Sequence, residues 1–368
     1  MNRPSSGVAY APHRREARSS RIGQAVRRAR ERSAVRGYRA AAAAIGRIPA
    51  RLSLPVGKAL LVGSYFAWPT KRRIILANAS HVLQLPASDR RVRHLARRIY
   101  ATYAQFIIEL MRLPRLPASE PARLVRGAAN QGDESFFALF ERYRSEGRGM
   151  IVVSAHIGSI DMMAGSMAYR GLPCYGVADD SAYPELFEAI NEQRRRWGIQ
   201  VIPWKNLRRT FKALRDGGIV GLVVDWGYRA EDVPVKLFGE WATLPAGPVM
   251  LAARTNAPIV PVVCRRMPDG FYEARHYEPI EVANDSPAET LRVTRLIATA
   301  VEDMIATAPE QWYSFKPIWP DTDAEKQKLA DRAEQMEASA ASDGWNPSTR
   351  RGQTASRAAG GGAGGGDA

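Results

Sequence analysis

The stretch SAHIGSIDMM, residues 154–163, sets His156 five positions ahead of Asp161, directly after the apolar run Met150–Val153. On one continuous helix, residues five apart point about 140° away from each other, so these two cannot meet if both are helical. They can meet if His156 closes a strand, Gly158 and Ser159 turn the chain, and Asp161 falls in the first turn of a helix, where an acid is favoured electrostatically. A carboxylate there would hold one imidazole nitrogen, fix the tautomer and leave the other nitrogen as a base. The motif supplies a general base without a nucleophile of its own. The hydroxyl to be deprotonated would then be the substrate's, attacking an activated acyl group, an assistance on the order of 10² to 10⁴ in rate. The bland alternative is a hydrogen-bonded structural histidine at a strand end.

The elements around the motif support a positioning role. Short apolar runs predict strands at 150–154, 174–178, 200–203, 219–224, 259–265 and 271–276. Helical patterns lie between or after them at 161–169, 184–197, 207–215, 247–255 and 288–308. Alternation of this kind predicts an α/β fold with a mostly parallel central sheet flanked by helices. Asp225 closes one predicted strand, where functional side chains collect in open parallel sheets, although a loop or helix cap explains it equally well. Further upstream, Val92, Leu95, Ile99, Tyr103, Phe106 and Leu110 step by three and four, an amphipathic helix whose first half carries Arg90, Arg91, Arg93, Arg97 and Arg98.

Charge divides the chain into three parts. The net charge is +16, and residues 1–51 contribute thirteen arginines against only Glu16 and Glu31. Such an arm, expected to be flexible, is attracted to polyanions such as lipid headgroups or nucleic acid, or serves only as a solubilising leader. The body is expected over 52–320, and the polar, then Gly-rich segment 321–368 is expected to be disordered. The segment ALLVGSYFAWP (59–69), with Lys58 before it and Lys71, Arg72 and Arg73 after it, is too short to span a bilayer. Its length suits either a helix lying in a membrane interface or an ordinary core helix.

Several chemistries find no motif here. There is no G-x-S-x-G elbow, H-E-x-x-H pair, Walker loop or G-x-G-x-x-G after a strand, and the two cysteines, Cys174 and Cys264, have no partner at metal-ligand spacing. No metal, no nucleotide cofactor and no disulfide framework are implied.

In order along residues 55–320 the chain resembles the lysophospholipid acyltransferase superfamily, and within it the bacterial lipid A biosynthesis acyltransferases and the related phosphatidylinositol mannoside acyltransferases. KRRIILANASHVL and YATYAQFIIELMRLP look like the family's N-terminal helices, and SAHIGSID looks like its H-x4-D/E block. NEQRRRWGIQVIP, GIVGLVVD and VKLFGEWATLPAGPVMLAARTNAPIVPVV resemble the later blocks, and PEQWYSFKPIWP the closing segment. The first block lacks the asparagine and aromatic that many relatives carry before the acid.

The resemblance implies His156 as the base activating the acceptor hydroxyl and Asp161 as its orienting partner. It implies that one of Arg194, Arg195 and Arg196 meets a phosphate or polar headgroup, and that Phe238, Gly239, Pro245, Gly247 and Pro248 shape the pocket; Asp225 joins this substrate-binding set. The donor would be an acyl thioester, on coenzyme A or acyl carrier protein, and the acceptor a membrane glycolipid or lysophospholipid. The enzyme would sit peripherally on an anionic membrane surface, at the cytoplasmic face of the inner membrane, with no nucleic acid partner. The competing expectation is a non-enzymatic basic protein that binds membrane or nucleic acid through its arm; a thioesterase is a third.

Overall fold

A computed structural model of the chain describes residues 21–112, 115–127, 135–179 and 184–342. Four helices come first: α1 (Arg21–Arg47), α2 (Ala50–Ala67), α3 (Pro69–Leu83) and α4 (Arg90–Arg112). In α4 the apolar spacing buries Val92, Leu95, Ala96, Ile99, Tyr100, Ala104 and Ile108, while Arg90 and Arg91 stay on the outer side. Tyr103 and Phe106, members of the same stripe, are only partly buried.

The body follows as α5 (Glu120–Leu124), β1 (Val125–Gly127), α6 (Phe136–Ser145), β2 (Met150–Ser154), α7 (Ile160–Tyr169), β3 (Cys174–Ala178), α8 (Pro184–Arg196) and β4 (Gln200–Pro203). It continues through α9 (Leu207–Arg215), β5 (Ile219–Val223), β6 (Val233–Leu237), β7 (Glu240–Leu244), α10 (Gly247–Thr255), β8 (Ile259–Arg266), β9 (Tyr272–His276), α11 (Pro287–Thr307) and α12 (Asp323–Ser342). Seven strands form one sheet in the order β1-β9-β8-β2-β5-β3-β4. Strands β8, β2, β5, β3 and β4 are mutually parallel; β9 runs antiparallel to β8, and β1 pairs parallel with β9. All five β2 residues are buried, as a strand covered on both faces requires. Ile151 and Val153 face one core with α9, α10 and α11; Met150 and Val152 face the other with α6 and α7.

Three departures from the sequence reading have physical causes. The arm, expected to be flexible, is helical over α1: Val35 and Ala42 are buried, Tyr38 Oη donates to Gln193 Oε1 at 3.3 Å, and Arg112 donates to the carbonyls of Ile45 and Ile48. Residues 1–20 lie outside the described part. The segment from 321, expected to be disordered, begins with α12, because Leu329 and Ala333 sit one turn apart and bury against the fold. Ion pairs Lys326–Glu240 and Arg295–Glu337 secure that helix; residues 343–368 lie outside the described part. The third departure is the antiparallel hairpin β6–β7, where a helix-and-strand alternation predicts no second sheet.

Candidate active site

β2 and β5 are neighbours in register, with Ser154 opposite Val223. Two residues beyond that shared rung stand His156 on one strand and Asp225 on the other, so the sheet itself brings them together. The His156 backbone N–H is shared between Asp225 Oδ1 at 3.0 Å and Oδ2 at 3.1 Å, and the ring Nδ1 lies 2.7 Å from Oδ1. Trp312 Nε1 donates to Oδ2 at 2.8 Å. A carboxylate only accepts, so Nδ1 carries its hydrogen and Nε2 is left as the basic nitrogen. Asp225 is buried, whereas the His156 side chain keeps 44% of its surface open to the adjoining cavity. Burial pushes the imidazole pKa down, but the charge and hydrogen bond of Asp225 together outweigh it; Lys316 opposes them, and the net shift is upward.

Asp161 therefore does not orient the histidine. It lies in the first turn of α7, as predicted, but Arg194 of α8 grips it, Nε to Oδ1 at 2.7 Å and Nη2 to Oδ2 at 3.3 Å. The reason is the turn. Gly158 is left-handed at φ +61, its N–H donates to Gln311 O, and the Ser159 N–H donates to Cys264 O. This aims the first turn of α7 across toward α8 rather than back at His156. The pair is a bidentate, half-buried strut that fastens α7 to α8 under the cavity.

Of the three arginines, only Arg194 reaches the cavity, and Asp161 occupies it; Arg195 and Arg196 pair with Glu188 and Glu192 on the surface. Phe238, Gly239, Pro245, Gly247 and Pro248 do not line the histidine cavity. Phe238 and Gly239, at φ 51 and 81, are the tight turn of the β6–β7 hairpin, and the Phe238 N–H donates to Glu302 Oε2 at 2.6 Å. Gly247 and Pro248 open α10, on the face of the sheet that packs against α9 and α11.

The cavity has a volume of about 380 Å³ and runs from His156 along the sheet under α7. Its walls are mostly apolar: Met163 and Met167 from α7, Val177 from β3, Val201 from β4, and Tyr103 and Phe106 from α4. Tyr313 and Phe315 complete an aromatic rim, with ring centres 5.3 Å from Phe106 and 4.8 Å from Tyr103 respectively. Cys174 also lines it, but burial pushes that thiol up to about 12, so the thiolate a covalent acyl intermediate needs is scarce. Trp226 stands edge-on to His156 with ring centres 6.0 Å apart. The sequence reading passed over Trp226, Trp312 and Tyr313. Only their place in the closing segment and after Asp225 hinted at them.

The site is thus a base held by a buried acid beside a long apolar cavity, on the carboxyl ends of central parallel strands. The family profile of the bacterial lipid A biosynthesis acyltransferases matches residues 32–320, and the chain belongs to that family. It is an O-acyltransferase of the lipid A and phosphatidylinositol mannoside type. A phosphatidylinositol mannoside acyltransferase of Mycolicibacterium smegmatis is 28% identical over 230 residues, 61% of this chain and 72% of its own length. A protein of the same name from Mycobacterium tuberculosis is 24% identical over 59% of this chain and 68% of its own. A lipid A biosynthesis lauroyltransferase of Escherichia coli is 29% identical over 46% of this chain and 55% of its own.

Proposed function

We propose that the protein transfers a fatty acyl group from an acyl thioester, on coenzyme A or acyl carrier protein, to a hydroxyl of a membrane glycolipid or lysophospholipid. The observation that carries this reading is the His156 imidazole with Nδ1 held by Asp225 and Nε2 left over at an apolar cavity. The acceptor hydroxyl gives its proton to Nε2 as its oxygen attacks the thioester carbonyl. The tetrahedral centre then expels the thiolate, the C–S bond breaks, and the imidazolium returns the proton to sulfur. Asp225 holds the tautomer and steadies the imidazolium. The acyl chain occupies the apolar cavity.

The enzyme works as a peripheral protein at the cytoplasmic face of the inner membrane. Among the described residues no helix is long and apolar enough to cross a membrane. In α2, however, Leu52, Val56, Ala59, Gly63 and Phe66 are all exposed at alternating steps of four and three, one continuous stripe, with Trp68 exposed just beyond its end.

The test is transfer from a labelled acyl thioester into a lipid extract of the host, with the intact protein and a folded His156→Ala variant. A labelled lipid that falls by at least about 10² in the variant supports the general base. Equal label from both proteins refutes it, and free fatty acid formed without any acceptor indicates a thioesterase.

A further inference from the structure

Asp225 is a buried acid, and a buried carboxylate needs donors for its oxygens and a fixed direction if it is to orient a partner. Among the described residues its hydrogen bonds come from two sources. The backbone N–H and the ring Nδ1 of His156 approach it, but that is the residue Asp225 has to orient. The other source is the indole N–H of Trp312, 2.8 Å from Oδ2. Contacts within the pair do not set its direction relative to the cavity. The indole ties the acid to a third part of the fold, outside β2 and β5.

That third part is itself closely fixed. Ile157 and Trp312 form an antiparallel bridge, the Tyr313 N–H donates to His156 O at 2.7 Å, and the Gly158 N–H donates to Gln311 O at 3.1 Å. One short stretch therefore holds the histidine through its backbone and the acid through its side chain. Gln311 sets the register of that stretch: its Nε2 donates to Arg266 O and its Oε1 accepts from the Arg266 N–H, both at 2.8 Å, at the end of β8. Trp319 stands edge-on to the Trp312 ring with centres 6.3 Å apart. A buried tryptophan needs an acceptor for its N–H, and a main-chain carbonyl meets that need, as Leu237 O does for Trp319 at 3.2 Å. Trp312 gives its N–H to the acid of the histidine instead. It is 2% exposed and lines no part of the cavity, so it does not touch an acyl chain there.

We infer that Trp312 is a positioning residue for acyl transfer: it acts through Asp225, holding the carboxylate in the line that presents His156 Nε2 to the cavity and drawing part of its negative charge toward Oδ2. The inference rests on the acyl-transfer reading. The indole is a neutral donor in a dry setting, so it steadies the carboxylate without cancelling its charge. Removing only the N–H leaves Asp225 more basic, its hold on the imidazolium through Oδ1 strengthens, and the imidazole pKa rises further. Removing the charge of Asp225 lowers it, because burial and Lys316 then act unopposed. The other groups around the ring do not change with the N–H: Lys316 lies on the closing segment, Arg194 of α8 is matched by Asp161, and burial keeps Tyr103 and Tyr313 at the rim neutral. The direction of the shift therefore reports on the indole bond.

The test uses the full chain. Imidazole resonances of protein carrying isotope-labelled histidine are titrated, with His156 assigned by its absence from His156→Ala. At position 312 tryptophan is compared with β-(3-benzothienyl)alanine, which keeps the bicyclic shape and puts sulfur in place of the N–H. The expected result is a His156 pKa raised by at least about 0.5 pH unit in the isostere and lowered in Asp225→Asn. An unchanged or lowered value in the isostere overturns the inference. A kinetic cycle tests the same link should the isostere not fold. Trp312→Phe is expected to lower kcat at least about tenfold with KM for the palmitoyl thioester within about twofold of wild type, and to add less than about a twofold loss to that of Asp225→Asn. Equal losses in both backgrounds, or a lowered Tm with kcat unchanged, make Trp312 a packing residue and overturn the inference. The titration needs no turnover. A wild-type protein that transfers no acyl group refutes the acyl-transfer reading, while the shift in the isostere still decides whether Trp312 acts on His156 through Asp225.

Discussion

At the residue scale the question is which acid serves His156, and the two candidates differ in their consequences for pH. Because Asp225 raises the imidazole pKa against the pull of burial, the ring stays protonated, and so useless as a base, to a higher pH than a free histidine. The acid limb of kcat/KM is therefore expected above pH 6.5, with activity rising as pH rises through it. Asp225→Asn removes both raising contributions and leaves the lowering effect of burial. Its acid limb should move to lower pH while kcat falls by at least about 10², since the tautomer is no longer enforced. Asp161→Asn leaves the His156–Asp225 bond in place, so its limb should stay with that of the wild type, its defect appearing instead as a looser α7–α8 contact. A pH–rate series on the three proteins decides: a limb shifted by Asp161→Asn and not by Asp225→Asn would restore the assignment that spacing alone invites.

At the scale of elements, the β2–α7 turn explains why that spacing misleads. The strand ends and the helices from Leu207 and Gly247 are visible in the sequence because short apolar runs and 3.6-residue patterns are local signals. Asp225 was legible as a strand-end acid. Its partnership with His156 was not, because it depends on β2 and β5 lying side by side, 69 residues apart in the chain. Likewise the family-based choice of Phe238 and Gly247 as pocket residues marked positions the fold needs for a hairpin turn and a helix start. Gly158 carries the geometry of the site: it is left-handed, and a Cβ there would be driven into the Cys264 carbonyl oxygen. Gly158→Ala is expected to cost at least about 2 kcal/mol and to lower Tm by several degrees, with loss of activity. Gly171 is also left-handed, at φ +86, but has open space around its Cα, so Gly171→Ala should cost only the conformational part, about 1 kcal/mol. Thermal unfolding of the two variants side by side separates close approach from backbone strain; equal losses would leave the Cys264 contact without a role.

At the scale of the whole molecule, the proposed peripheral membrane contact assigns the exposed stripe of α2 to the lipid surface. Helix α2 packs its opposite side on α4, and Gly57 permits that approach, since a Cβ there would strike Ile108 of α4. α4 in turn contributes Tyr103 and Phe106 to the cavity rim. A bilayer surface meeting Leu52, Val56 and Phe66 would therefore lie two helix thicknesses from the site, about 20 Å, across α2 and α4. Lys58, Arg72 and Arg73 along and beyond the stripe suit anionic headgroups. Burying three apolar side chains at the headgroup boundary supplies a salt-insensitive component of binding, while the cations supply a component that screening weakens. The triple variant Leu52→Ser/Val56→Ser/Phe66→Ser should bind vesicles of mixed phosphatidylglycerol and phosphatidylcholine at least about tenfold more weakly at high salt, where the apolar component dominates. At low salt the loss should be smaller, because the cations remain. Its turnover on a detergent-dispersed acceptor should stay near wild type, since none of the three residues touches the cavity. Sedimentation with sucrose-loaded vesicles at two salt concentrations reads both components. Full retention of high-salt binding by the triple variant would move the membrane contact away from α2, and a fall in dispersed-acceptor turnover would make the stripe a support for α4 rather than a lipid-facing surface.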